Sequence, residues 1–486
     1  VLRFRRRPDE VGDHTPSAAV PGIVACVVDD DPRLHLEALR WFATLTGLAG
    51  VDPSDLVVHA VGPTDSDALD LLRSKGVSIR GIELFDERSP HCNKIAGALS
   101  LAATAGAVPA VLSDADVVFC DDPRSVAVGP GAVALKPVDL PNPPLEVLRN
   151  VFAAASVPEP PTEALDFAKG ETLQGNGNGG VYVVSAGTLG VLTERWASWA
   201  RWLLDRRGLL GEFPVFVDQV ALALALADGG IPVERLEARW NTPTNAVVGI
   251  PAEAATPSAI HYHQEVEPTG LLSRSGAPAV DARIEACNAA ITALWKEAFP
   301  NRTFWEWRYR TDPALGSGVG SRGAPLADKR VLLESVLRTV RPTSTLDVGC
   351  GDAEATRGLA IPNYTGLDRS AEAVRLAGAA RPGDTFLVGT LDEHPVVADL
   401  TVCLDVLIHQ PDPDGYADLV ARLVGSASRA LLISGYEGRP VHDSPMIYFH
   451  EALSTTLARC APDRTLRALR VEHEITTWLV EPPAGG

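Results

Sequence analysis

Two short runs, each at the carboxyl end of an apolar strand, constrain this chain more than anything else in it. Ser113-Asp114-Ala115-Asp116 closes the run Val108 to Leu112. Leu346-Asp347-Val348-Gly349-Cys350-Gly351-Asp352 ends the strand that begins at Thr345, and Gly366-Leu367-Asp368 follows it. Around both runs, β-branched stretches alternate with stretches of helical spacing. That alternation predicts mostly parallel sheets covered by helices. Such sheets bind ligands beyond the carboxyl ends of their strands, where both runs lie. The expected class is α/β, with two Rossmann-like, doubly wound domains.

In the first half, strands are predicted at 22–28, 56–61, 77–82, 108–112 and 181–184, and helices at 35–49, 93–105, 189–204 and 215–227. Pro141 to Pro161 reads as a loop or insertion, and Gly175 to Gly180 as a flexible turn. Residues 1–19 read as a polar tail. Glu267 to Ala282, with Pro268, Gly270, Ser273, Ser275, Gly276 and Pro278, disfavours regular structure and reads as the inter-domain hinge. It divides a domain at 20–270 from one at 283–486. In the second half, helices are expected at 282–299, 332–340, 371–379 and 416–423. Strands are expected at 345–348, 364–367, 385–388, 400–404 and 430–433.

A length of 486 residues needs more than one core. A net charge of −19 argues against nucleic acid and anionic membrane as partners. The seven cysteines form no C-x-x-C pair, so neither a zinc site nor a disulfide framework is indicated, and a reducing cytoplasmic location is expected. Arg5-Arg6-Arg7 has no apolar stretch behind it, so no secretory signal is read there. No apolar run is long enough for a transmembrane segment.

Two carboxylates one residue apart at a strand end suit Mg²⁺ or Mn²⁺, which can bridge two phosphates and stabilise a leaving diphosphate. On their own, the two aspartates also fit a solvated turn. Their company is more specific: Asn93-Lys94, Gly177-Asn178-Gly179-Gly180-Val181-Tyr182, Asp218-Gln219, Trp240-Asn241 and His261-Tyr262-His263, in that order. With these motifs, residues 20–265 resemble the GT-A glycosyltransferases, the glycogenin-like family 8 branch especially. The resemblance implies a nucleotide-sugar donor and a metal held by Asp114, Asp116 and a closing histidine. It places Lys94, Asn178, Gly179, Asp218 and Gln219 beside the donor. The glycine stretch is longer and richer in Asn than that family's. Lys94 also suits a solvated helix face, and Asp218 a helix cap. His261 and His263 would share a face of an extended segment. His261 is the preferred ligand because it directly follows Ala259-Ile260.

At the second run, Gly349 and Gly351 let the backbone approach a nucleoside, and a helix is expected after them. Asp368, about 20 residues on, is placed as an acidic ribose ligand. A dinucleotide would need a third glycine, where this chain has Asp352-Ala353-Glu354. An acidic helix start also disfavours a pyrophosphate. S-adenosylmethionine has no phosphate and carries a positive sulfonium, so it suits this surround. Residues 300–480 resemble the class I methyltransferases at L-D-V-G-C-G-D and G-L-D. The resemblance implies cofactor contacts from Asp347, Gly349, Gly351, Asp368 and, at the adenine, Asp392. Cys403 to His409 resembles the D-V-L-x-H stretch beside the transferring methyl, with Asp405 in its motif. His409 is the candidate general base for a hydroxyl acceptor; a structural histidine is the plain alternative. No N-P-P-Y occurs, which disfavours N-methylation. Gly316 to Gly323 reads as a mobile linker or a segment folded over the cofactor.

Together these readings predict a cytoplasmic bifunctional enzyme. It would transfer a sugar from a nucleotide-sugar donor and O-methylate a glycan or a glycosylated small molecule. The rival reading makes the first half a nucleotidyltransferase or a non-catalytic sugar-nucleotide-binding module. The lack of a Gly-rich, Lys/Arg-containing loop near the N-terminus counts against a nucleotidyltransferase.

Overall fold

In the computed structural model, the described residues are 21–245, 251, 254–441, 444–472 and 474–483. The tail read at 1–19 lies outside them. The first half holds strands β1 (Ile23–Val28), β2 (Leu56–Val61), β3 (Ser78–Ile82), β4 (Ala110–Ser113), β5 (Val117–Phe119), β6 (Val133–Pro137), β7 (Thr162–Ala164), β8 (Glu171–Leu173), β9 (Gly177–Val184), β10 (Val233–Arg235), β11 (Thr242–Pro243) and β12 (Ala259–His261). Its helices are α1 (Pro32–Gly47), α2 (Asp67–Ser74), α3 (Asn93–Ala105), α4 (Leu145–Ala155), α5 (Leu189–Leu204) and α6 (Val217–Gly229). Helices α7 (Pro278–Glu297), α8 (Asn301–Thr311) and α9 (Gly323–Val340) follow. Then come β13 (Thr345–Val348), β14 (Tyr364–Asp368), α10 (Ala371–Ala380), β15 (Thr385–Val388), β16 (Ala398–Cys403), α11 (Pro413–Ser426), β17 (Ala427–Tyr436), α12 (Leu453–Cys460), β18 (Thr465–Glu472) and β19 (Ile475–Glu481).

The architecture is mixed α/β with two mostly parallel seven-stranded sheets. The first runs β10-β6-β9-β4-β1-β2-β3, with β9 antiparallel to both of its neighbours. The second runs β15-β14-β13-β16-β17-β19-β18, with β19 antiparallel to β17 and to β18. Period-two alternation sends each strand's side chains to opposite faces. Val24, Cys26 and Val28 of β1 enter the core shared with α1, while Ala25 enters the one shared with α3, α5 and α6. The second sheet divides likewise: Leu431 and Ile433 pack with α11 and α12, and Leu432 with α9. Among the described residues, no helix is long and apolar enough to cross a membrane.

Four local expectations are corrected. Pro141 to Pro161 contains α4, whose Leu148, Val151 and Phe152 are buried on one face between flanking prolines. The glycine-rich turn at 175–180 is largely strand, because β9 starts at Gly177. No helix follows the second glycine run: Gly351 and Ala353 take positive φ, and residues 351–358 form turns. The hinge at 267–282 is docked. Arg40 Nε donates to the Gly270 carbonyl at 2.7 Å, Leu272 is 2% exposed, and Pro278 already begins α7. A Cβ on Gly270 would collide with Trp295.

Helices α7 and α8 belong to the core of the first half. Cys287, Ile291, Trp295, Phe304 and Trp307 pack with α1 and β5, and Met446 and Tyr448 join them from the second half. The start of α8 is capped from afar. Asp67 accepts from Arg302 N at 2.8 Å, Thr303 N at 3.1 Å and Thr303 Oγ1 at 2.5 Å. On the other side, Glu306 accepts from Ser370 Oγ and Glu372 N at the start of α10. Removing a helix cap costs about 0.5–2 kcal/mol. Asp67→Ala should therefore lower the unfolding free energy of the whole chain by about 1–2 kcal/mol in urea titrations, and Asp67→Asn by less. An unchanged midpoint in the alanine variant would contradict the capping role.

Candidate functional site

Beyond β4 the chain turns through Asp114 and Asp116 into β5. β5 leaves the main sheet to pair antiparallel with β12, setting Val117 opposite His261. That register brings Asp114, Asp116 and His261 together, with ligand atoms all within 4.8 Å of one another. His261 Nε2 lies 3.2 Å from Asp116 Oδ1. Burial works against charge on both groups, but their mutual attraction wins: His261 is held above its ordinary pKa and Asp116 below its own. His263 stacks on His261 at 4.1 Å between centroids, and burial pushes its pKa down.

Lys94, in the first turn of α3, lies 2.8 Å from Asp114 and 3.3 Å from Asp218 of α6. Burial opposes its charge, yet the two carboxylates hold its pKa well above the ordinary value. β9 runs alongside, and Asp114 N donates to the Gly180 carbonyl at 3.1 Å. A Cβ on Gly180 would lie 2.7 Å from both His261 Nδ1 and Asn241 Oδ1, so only glycine fits there. Asn178 Oδ1 accepts from Gly180 N and Asn241 Nδ2, both at 2.9 Å, and its amide donates to Asp139. Asp139 also pairs with the fully buried Lys136. Four carboxylates thus face two ammonium groups and the His261 ring, an acidic set that suits a cation. His261 Nδ1, Asn241 Oδ1 and Gln219 Oε1 are buried without a hydrogen-bond partner. Of these, His261 Nδ1 and Asn241 Oδ1 meet at Gly180, where they fit a polar ligand and an ion in this cradle.

The second pocket lies beyond the carboxyl ends of β13, β14 and β16. Asp347, Gly349, Asp368, Leu391, Asp405 and His409 help line it, with Trp305 and Tyr309 of α8. Asp368 accepts from Gly351 N and Ser370 N at 2.9 Å, one on each oxygen. Each oxygen keeps a lone pair for a hydroxyl. Burial pushes the Asp368 pKa up. Gly351 has φ +55, and a Cβ there would crowd Tyr309 OH at 2.6 Å. Asp405, in the left-handed region at φ +60, pairs with Lys329 at 2.5 Å and accepts from Ser434 Oγ at 2.9 Å. His409 Nδ1 lies 2.8 Å from the Met446 carbonyl, which can only accept, so Nδ1 carries the proton and Nε2 the lone pair. Burial pushes His409 below its ordinary pKa. The donor set fits a nucleoside with free hydroxyls and a cationic centre.

The structure groups Asp114, Asp116, His261, Lys94, Asp218, Asn178 and Gly179 at one site, with Gln219 next along α6. It groups Asp347, Gly349, Asp368, Asp405 and His409 at the other, with Gly351 bonded to Asp368. Asp392 does not join them. Its side chain is 57% exposed and pairs with Arg422, while Thr390 and Leu391 line the pocket instead. The sequence reading missed Asp139, Trp305, Tyr309 and Lys329. The Gly316–Gly323 segment does fold onto the pocket. Ser317 Oγ bonds Tyr309 OH at 2.8 Å and Asp352 at 3.1 Å, and Arg322 pairs with Asp352.

Residues 346–431 match the family model described as a methyltransferase domain, so the second half carries a methyltransferase domain. No curated protein matches the chain. Among solved structures, it is similar to a magnesium protoporphyrin IX methyltransferase (ChlM) from Synechocystis PCC 6803 with bound SAH. That match has 17% identity, 32% of this chain, 81% of that one and a TM-score of 0.28. It is similar to the N-methyltransferase NodS from Bradyrhizobium japonicum WM9 at 14% identity, 37% and 98% coverage and a TM-score of 0.31. It is also similar to mouse xyloside xylosyltransferase 1 at 14% identity, 50% and 97% coverage and a TM-score of 0.34. At these levels the structural likenesses carry no argument about activity.

Asp347 makes the stability of the chain depend on pH. Burial raises its pKa from 3.8 to about 6, against a 2.7 Å hydrogen bond from Tyr364 OH. The folded carboxyl therefore holds its proton more tightly than the unfolded one. Its contribution is complete below about pH 4 and is lost as pH rises to about 6, a window worth roughly 2–3 kcal/mol. Asp347→Asn should flatten that part of the stability–pH curve. An equal slope in the variant would contradict the assignment.

Proposed function

We propose that the chain is a bifunctional transferase, moving a sugar from a nucleotide-sugar donor at the first site and a methyl group to an oxygen at the second. The meeting of Asp114, Asp116 and His261 from separate stretches of chain carries the part that reaches beyond the methyltransferase domain. Residues 20–270 supply the GT-A-like sugar-transfer unit and 283–486 the class I methyl-transfer unit, with α7 and α8 built into the core of the first.

At the first site, Asp114, Asp116 and His261 would hold a Mn²⁺ or Mg²⁺ ion, which would supply positive charge to the donor diphosphate. Lys94 adds an ammonium beside it, oriented by Asp218. Asn178, held by Asn241 and Asp139, and Gln219 offer hydrogen bonds to sugar hydroxyls, and the small Gly179 leaves room for the Lys94 ammonium, which a Cβ there would meet. At the second site, Asp347, Gly349, Gly351 and Asp368 would hold S-adenosylmethionine, which would supply the methyl group for the acceptor oxygen. Asp368 takes the ribose hydroxyls. His409 Nε2 takes the proton that the acceptor hydroxyl loses, and the Met446 carbonyl holds the ring in the tautomer able to do so. Lys329 fixes Asp405 beside it. The acceptor is a glycan or a glycosylated small molecule.

A panel of nucleotide sugars with Mn²⁺ should release nucleotide diphosphate from the full chain. Asp116→Asn should lose that release and keep methyl transfer; release at the native rate in the variant would remove the metal role. His409→Ala should slow methyl transfer by about 10²–10⁴-fold with native S-adenosylhomocysteine affinity. The native rate should rise with pH through an ionisation below 6.5, because the neutral ring is the active form. A variant that keeps the native rate and profile would return His409 to a structural role.

A further inference from the structure

A second cavity, of about 580 Å³, opens from the methyl-transfer pocket. Trp305, Ser317, Lys329, Leu404, Asp405 and His409 line both, so the candidate base stands at their junction. The volume falls within the range of about 300–1,000 Å³ typical of sites for drug-sized ligands. The wall is largely apolar, with Val319, Leu332, Ile408, Met446 and Ile475 among its residues. Most of the charges on it are engaged, while Arg308 Nε is buried there without a hydrogen-bond partner. Lys329 pairs with Asp405, and Arg470 with Asp328 and Glu472. Arg308 donates to the Pro268 carbonyl, and Glu474 accepts from Val441 N. Such a wall has little to offer a polysaccharide, whose hydroxyls would lose water without gaining partners.

Pro268 and Thr269 also line the cavity. Pro268 comes five positions after His263, which stacks on the candidate ligand His261, a span of at most about 18 Å when extended. The first half therefore supplies part of the wall for the second half's acceptor.

We infer that the methyl acceptor is an apolar, hydroxyl-bearing small molecule of aglycone type, bound in this composite cavity with its hydroxyl at His409. The inference rests on the methyl-transfer reading and narrows its acceptor from glycan or glycosylated metabolite to a lipophilic body.

The test is calorimetry on the full chain saturated with S-adenosylhomocysteine. The probes are 2-naphthol and estradiol, neutral ring systems bearing hydroxyls, against maltotriose. At least one ring probe should bind ten-fold or more tightly than maltotriose. Ile475→Glu and Val319→Glu place a charge on the wall without touching the cofactor pocket. Each should weaken that binding by ten-fold or more and leave S-adenosylhomocysteine affinity within two-fold. Val319 is 79% exposed on a turn, so that variant keeps the test valid if Ile475→Glu does not fold. Failure of both ring probes, tighter binding of maltotriose, or native ring-probe affinity in a folded wall variant overturns the inference. Failure of S-adenosylhomocysteine itself to bind would instead overturn the methyl-transfer reading beneath it.

Discussion

One carboxylate closes the first turn of a helix 235 residues away, and much of the molecule depends on that helix. Asp67 of α2 satisfies the free backbone N–H groups at the start of α8, which would otherwise be buried without partners. One side of α8 then commits Phe304 and Trp307 to the core around α1. The other presents Trp305 and Tyr309 to the methyl-transfer pocket, where Asn301 Nδ2 also holds the His409 carbonyl at 2.8 Å. Glu306 caps α10, the helix that follows Asp368. A single aromatic helix is thus a structural member of one half and an active-site wall of the other.

The first site is built by a different constraint, strand register. β4 ends where the main sheet needs it to end, and β5 diverges to pair with β12. The antiparallel register of that pair sets His261 beside Asp116, while β9 brings its glycines against Asp114 and Lys94. A slip of one residue would turn the histidine to the other face. The buried negative charge that results is costly without a cation. Lys94 meets part of that cost, and a bound divalent ion would meet the rest.

Much of this was legible because it is local. Strand-end aspartates, glycines before a nucleoside pocket and period-two cores leave marks in short windows. Lys94, Asp218 and His261 were found through the order of short motifs, and the structure groups them with Asp114 and Asp116. What stayed hidden is long-range or masked by composition. Prolines at both ends of 141–161 hid the apolar spacing of α4. The Pro/Gly/Ser content of 267–282 suggested a free hinge, although Arg40 and Trp295 supply the contacts that dock it. Asp392 lies just past the strand end that pointed to it, and its partner Arg422 comes from α11. Trp305 and Tyr309 fall between the helices expected at 282–299 and 332–340, and nothing in their neighbourhood announces a distant pocket. Asp139 has no motif of its own; only the fold brings it to Asn178.

Packed against both halves, α8 joins them into one cooperative body. Scanning calorimetry of the full chain with and without S-adenosylhomocysteine tests it most directly, because a ligand raises the stability of whatever unit unfolds with its site. A single transition that moves upward as a whole is the predicted result. Two transitions, only one of which responds to the ligand, would contradict it.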